Sequence, residues 1–197
     1  MKITVDRPLV YIATCSSVLG PMTAGFMNDR LIYLAFGRLI LDVVDLVARR
    51  IEPPYVKAGG KREHAQLKAI IDMIENTNFC ELKMHAIGTP FQEAVWAQLL
   101  RIPLGSTWTY KQLAEAAGAP KKFRAVAKAC AANPIAVLIP CHRVVQSNGR
   151  LGGYHWGTGI KARLLEMEAR QAIKLQRMGQ ELTPIVKWLE PQPGAEI

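Results

Sequence analysis

Between Thr109 and Ala132 the chain leaves little freedom of fold: Thr109–Ala117 has helical composition, Gly118-Ala119-Pro120 interrupts it, and Lys121–Ala132 resumes it. Gly118 ends the first helix, because a residue without Cβ suits the left-handed C-cap, and Pro120 opens the second, where a missing N–H costs nothing. Two helices joined by so short a turn cross steeply, as a helix-turn-helix. The second helix carries Ala125, Ala127, Ala129, Ala131 and Ala132, so a large partner can approach its backbone closely. Small residues serve helix–helix packing equally well, but Lys121, Lys122 and Arg124 stand at the start of this helix. Donors, helix dipole and low bulk together favour a backbone phosphate there. Alanine offers little with which to read bases, so contact guided by shape is expected.

Upstream, Gly88-Thr89-Pro90 marks a boundary. Thr89 is an N-cap residue and Pro90 fits the first helical position, so Phe91–Arg101 reads as a helix with Val95 and Leu99 inward. Before it, the alternating segments Val10–Ser16, Met22–Met27 and Arg30–Phe36 are separated by the turn pairs Gly20-Pro21 and Asn28-Asp29, which predicts a small antiparallel sheet. Arg38–Arg50 is helical, residues 52–61 form a break rich in proline and glycine, and Arg62–Glu75 is a second helix with Leu67, Ile70, Ile71 and Ile74 on one face. The expected architecture is a small α/β N-terminal domain, 1–88, then a mainly α, winged-helix-like domain with the helix-turn-helix, 89–170. An extension follows, 171–197, with Gln171–Met178 helical and Pro184–Ile197 rich in proline.

Charge is uneven along this division. Residues 1–88 hold 11 Lys/Arg against 9 Asp/Glu, whereas residues 89–197 hold 14 against 7, so most of the net +9 belongs to the C-terminal part. A surface of that sign attracts polyanions. No stretch approaches the roughly 20 apolar residues of a membrane span, and Asp6, Arg7 and Pro8 do not fit a signal peptide, so a soluble intracellular monomer is expected, cytoplasmic in a prokaryote or nuclear in a eukaryote. The cysteines at 15, 80, 130 and 141 include no Cys-x-x-Cys pair, which fits a reducing compartment. Cys15, Cys80, His64 and His85 match no compact zinc spacing, so neither metal nor cofactor is expected.

The run Ile139-Pro140-Cys141-His142-Arg143-Val144-Val145 holds the chemistry. A free thiol, with a pKa of about 8.5, is only a few per cent thiolate at neutral pH, so a working Cys141 needs a base or a cation beside it. His142 is the base by type. Neighbours in an extended segment face opposite ways, which favours a bridging water over a direct Cys141–His142 bond. A carboxylate on the late helix Lys161–Arg170, Glu166 or Glu168, is the candidate to orient the histidine.

Six ordered blocks carry a resemblance: GTPFQEAVW (88–96), TYKQLA (109–114), RAVAKACAANP (124–134), IPCHRVV (139–145), GRLGGYHWG (149–157) and KARLLEMEA (161–169). The chain from Gly88 to about Ala169 resembles the C-terminal domain of the O6-alkylguanine-DNA alkyltransferases, the methylated-DNA–protein-cysteine methyltransferases. The HWG and RAVAKACAAN spellings are similar to the alkyltransferase half of the bacterial adaptive-response protein. Residues 10–88 fit the family's small α/β domain more loosely. That protein's additional metal-binding and transcription-factor domains find no match, so no regulatory role is expected.

The resemblance implies that Cys141 accepts the alkyl carbon, that His142 deprotonates it through water, and that Glu168 rather than Glu166 orients the histidine. It implies that Asn133 braces the active-site turn and that Tyr110 assists nucleotide rotation and supports the leaving guanine. Arg124 corresponds to the finger that replaces the extruded nucleotide, and the expected DNA-binding set adds Lys121, Lys122, Ala125, Ala129 and Arg143. The expected base pocket comprises the Val144 carbonyl, Tyr154, His155, Trp156 and Gly157. The implied partner is duplex DNA containing O6-alkylguanine, mainly O6-methylguanine, possible O4-alkylthymine included, bound through the minor groove. The implied function is base flipping and irreversible transfer, one event per molecule. Two alternatives are a non-catalytic helix-turn-helix protein that binds alkylated DNA and a cysteine hydrolase. The family's inactive relatives lack the cysteine, and for the hydrolase an adjacent Cys-His pair is poor geometry and no oxyanion motif is visible.

Overall fold

The computed structural model describes residues 7–37, 40–78 and 81–179. Strands β1 (Leu9–Ser17), β2 (Gly20–Met27) and β3 (Arg30–Phe36) form an antiparallel meander, as the alternation predicts. Asn28 and Asp29 both have positive φ, 50° and 60°. This is the backbone of a two-residue hairpin whose twist matches that of its strands, and short polar side chains tolerate it. The sheet has a fourth strand, β4 (Tyr55–Ala58), parallel to β1, inside the segment read as a break. It is short and exposed throughout, so it lacks the period-two apolar signal of a strand with a core face. Its aromatic and β-branched residues between Pro53-Pro54 and Gly59-Gly60 are the cue that marks it.

Both sheet faces are covered. Helix α1 (Ile40–Ala48) sets Val43 and Val47 against Val10, Ile12 and Ile32, while α2 (Lys61–Asn76) buries Leu67, Ile70, Ile71 and Met73 on the opposite side. The second cluster continues into the C-terminal helices, where it takes in Trp96, Leu113, Val126, Ile139, Cys141 and Leu164. At the join, a Cβ on Gly88 would lie 2.4 Å from the Trp96 ring, so only glycine lets the chain pass this indole.

Helix α3 (Pro90–Leu99) begins as expected. The Thr89 hydroxyl accepts from the Gln92 amide, and the Gln92 side chain accepts from the Thr89 N–H in return, a capping box. After β5 (Trp108–Thr109) the same device recurs with Thr109 and Gln112 at the start of α4 (Tyr110–Ala116). Helix α5 (Phe123–Ala131) starts later than the sequence suggests: Ala119–Lys122 forms a turn closed by the Lys122 N–H on the Ala119 carbonyl, so Pro120 sits in that turn and not at the first helical position. A 3-10 turn (Cys141–Arg143) leads into β6 (Val144–Val145), paired with β5. Helix α6 (Thr158–Arg177) runs unbroken past residue 170, and Gln171 donates to the Ile74 and Glu75 carbonyls at the end of α2. The expected proline-rich tail lies outside the described residues, as does Cys80. No helix among the described residues is long and apolar enough to cross a membrane, and no group of three metal-ligating side chains gathers there.

Candidate active site

The segment from Asn133 to Arg143 is held from several sides. The Asn133 side chain accepts from the Ile135 N–H (2.9 Å) and donates to the Ile139 carbonyl (2.8 Å) and to Cys141 Sγ (3.2 Å). Leu34 on β3 donates to the Pro134 carbonyl and accepts from Ala136, which fixes the turn to the sheet edge. Inside this turn Val137 has φ +68°, a strained position for a β-branched residue that persists because the surrounding bonds dictate it. The asparagine therefore does brace the turn, and it also touches the sulfur.

Cys141 opens the 3-10 turn and is only 6% exposed. Burial pushes its thiol up to about 11, against the opposing pull of the Asn133 hydrogen bond and the Lys161 ammonium. At that value the resting group is a thiol at neutral pH. No direct hydrogen bond joins Cys141 to His142 among the described residues.

His142 is fully buried, and its Nε2 donates to Glu168 Oε1 at 2.8 Å. Of the two glutamates on α6, Glu168 is thus the partner; Glu166 pairs with Arg170 on the surface. The same carboxylate receives Nε and Nη2 of Arg143 at 2.8 and 2.9 Å, while Nη1 of Arg143 donates to the Ile102 carbonyl at 2.6 Å. Burial alone would raise the Glu168 carboxyl, but His142 and Arg143 outweigh it and hold it down at about 2. With Nε2 donating to an ionised carboxylate, Nδ1 is the nitrogen left to take a proton, and it has no hydrogen-bond partner among the described residues.

Beside the sulfur lies a cavity of about 440 Å³ lined by Tyr110, Ala127, Cys130, Ala131, Cys141, Gly153, Tyr154 and His155, within the roughly 300–1,000 Å³ of small-molecule sites. Tyr110 has its hydroxyl pushed up to about 12 by burial and the neighbouring thiols. The Tyr154 hydroxyl is buried with no hydrogen-bond partner among the described residues, and its ring meets His142 edge-on. Lys161 fixes the loop above: fully buried, it donates to the carbonyls of Val144 (2.6 Å) and Leu151, both of which it neutralises as acceptors.

Several expected positions are corrected. Arg143 is no DNA contact: it is 7% exposed and committed to Glu168 and Ile102. Ala129 is buried too, its carbonyl accepting from the Trp96 indole at 2.9 Å. Val144 is not among the residues lining this cavity, and its carbonyl accepts from Lys161. Trp156 and Gly157 are not among the residues lining this cavity; the Trp156 ring packs edge-on against Tyr154, His155 and Phe36. Lys121, Lys122 and Arg124 are exposed, and Ala125 is partly so. Lys161 and Cys130 went unread as site residues; Lys161, Leu164 and Glu168 share the buried face of α6 at helical spacing, and a lysine in that stripe is the signal.

The model of the 6-O-methylguanine DNA methyltransferase DNA-binding domain matches residues 90–170. A methylated-DNA–protein-cysteine methyltransferase of Mycobacterium leprae is 46% identical over 170 residues, covering 84% of this chain and 96% of the relative. The bifunctional transcriptional activator/DNA repair enzyme Ada of Escherichia coli is 58% identical over 82 residues, 42% of this chain, which spans only 23% of that protein's length. The crystal structure of Mycobacterium tuberculosis OGT in complex with DNA superposes with a TM-score of 0.67 at 31% identity, covering 82% of this chain and 94% of the other.

Proposed function

Because the chain belongs to the methylated-DNA–protein-cysteine methyltransferase family, we propose that it repairs duplex DNA by drawing an O6-alkylated guanine into the cavity beside Cys141 and keeping the alkyl group on that sulfur. The observation that carries this reading is the Cys141 thiol at the wall of a cavity roomy enough for a purine, with a buried His142–Glu168–Arg143 cluster beside it. His142 Nδ1 takes the thiol proton through a bridging water, and Glu168 stabilises the imidazolium that forms. A sulfur–carbon bond forms, the carbon–O6 bond breaks, and its electron pair leaves with the purine, which regains the proton. A thioether has no good leaving group, so each molecule acts once.

Inside a stacked duplex the reactive carbon is out of reach, so the nucleotide must be rotated out at a cost of a few kcal/mol. The partly exposed Ala125 and Ala127 and the exposed Ala131 of α5, with the exposed cations Lys121, Lys122, Arg124 and Lys128 close by in the chain, suit close approach in the minor groove. Tyr110, at the cavity wall, supports the departing base.

Incubation with duplex DNA containing O6-methylguanine, followed by mass spectrometry, tests the reading: one methyl appears on the Cys141 peptide and product plateaus at one per protein. Continued turnover would indicate hydrolysis, and binding with no mass change would indicate a non-catalytic reader. Arg124→Ala is expected to slow repair of the duplex by about tenfold, while the same lesion in a single strand, which needs no replacement of an extruded nucleotide, reacts within about twofold of wild type. Equal losses on both substrates would remove the finger role.

A further inference from the structure

Phe123 is a large apolar side chain that is 44% exposed and belongs to neither buried cluster. It is the first residue of α5, flanked by the exposed cations Lys121, Lys122 and Arg124. Its place on the helix is specific. Ala127, Cys130 and Ala131, the α5 residues that line the cavity, stand four, seven and eight positions after it, so Phe123 shares their stripe and lies one turn beyond Ala127, at the rim. Arg124, one residue on, is rotated about 100° from Phe123 around the helix and points across the rim instead of along it.

We propose that Phe123 is an apolar wedge that enters the duplex with Arg124 and stacks on the base next to the extruded nucleotide, keeping the gap open while the lesion occupies the cavity. The inference rests on the extrusion reading given above. Three exposed basic residues, Lys121, Lys122 and Arg124, flank Phe123 along the chain on a surface that attracts phosphates, and phosphates offer a phenyl group nothing; a base face offers a stacking partner. Small apolar wedges inserted between base steps are a general means of holding a kinked minor groove. The alanines that follow Phe123 on the stripe let the backbone come near enough for a side chain of this length to reach between bases.

The test compares methyl transfer to Cys141 from O6-methylguanine in a duplex and in a single-stranded oligonucleotide. Phe123→Ala is expected to lower the duplex rate about tenfold, leave the single-strand rate within about twofold, and leave the salt dependence of duplex binding unchanged, since no phosphate contact is lost. Phe123→Trp restores the duplex rate. Unchanged duplex transfer, equal loss on both substrates, or no rescue by tryptophan overturns the wedge. The single-strand rate also reports folding of each variant. If the wild-type protein transfers no methyl from either substrate, the extrusion reading falls and the wedge with it; if wild type transfers and Arg124→Ala is duplex-selective while Phe123→Ala is not, the wedge alone falls.

Discussion

Cys141→Ala abolishes methyl transfer while duplex affinity, measured at fixed salt, stays within about twofold of wild type. The two properties separate because they sit on different surfaces. In the proposed reading, affinity comes from phosphates meeting the exposed cations of the helix-turn-helix, whereas Cys141 is buried and faces the cavity. The substitution should also fold: Asn133 loses the sulfur but keeps its bond to the Ile139 carbonyl, so no buried donor is orphaned. The sharpest challenge comes from Cys130, which lines the same cavity. Burial raises the Cys130 thiol, and Asn133 donates to Cys141 and not to Cys130, so transfer to Cys130 is not expected. A Cys141→Ala protein that still cleared the lesion, with the methyl found on the Cys130 peptide, would falsify the assignment.

What the sequence made legible follows the range of the interactions. The capped start of α3 and the strand alternation depend on residues within four positions, and each appears where read; the matching cap of α4 at Thr109 rests on the same local spacing but went unread. Cys141 and His142 were legible because their chemistry is carried by residue type. Arg143 was misplaced for the converse reason: a basic residue in a basic domain reads as a phosphate contact until a carboxylate 25 positions away claims it. Likewise, the Val144 carbonyl looked free because Lys161, 17 positions on, gave no local sign of turning inward. Trp156 was expected at the base pocket from the resemblance, and it packs against Phe36, on a strand far off in sequence, as well as against Tyr154 and His155. Strand β4 escaped because an exposed edge of four residues has no buried face to imprint a period.

Glu168→Gln is expected to destabilise the protein by about 3–5 kcal/mol, because it leaves the buried Arg143 guanidinium without its counter-charge and turns an amide N–H₂ toward a group that only donates. At roughly 2–4 °C per kcal/mol for a chain of this size, Tm falls by about 10 °C. The sign of the pH dependence is fixed by the depressed carboxyl. Glu168 is held at about 2 against an ordinary 4.5, so its contribution is fully present above pH 4.5 and is lost as pH falls toward 2. The Tm gap between wild type and variant should therefore narrow as pH falls below 4.5. A gap that persists undiminished at pH 2.5 would mean that the carboxylate does not carry the stability. Transfer separates a positioning role from a structural one: below its melting range, Glu168→Gln slows transfer by about 10²-fold at neutral pH, as expected when the histidine loses the anion that stabilises its protonated form. Replacing Arg143 and Glu168 together by methionine and leucine removes both buried charges, so it should recover much of the lost Tm. It should not recover the rate, because His142 Nε2 is then left with no partner to hold the ring toward Cys141.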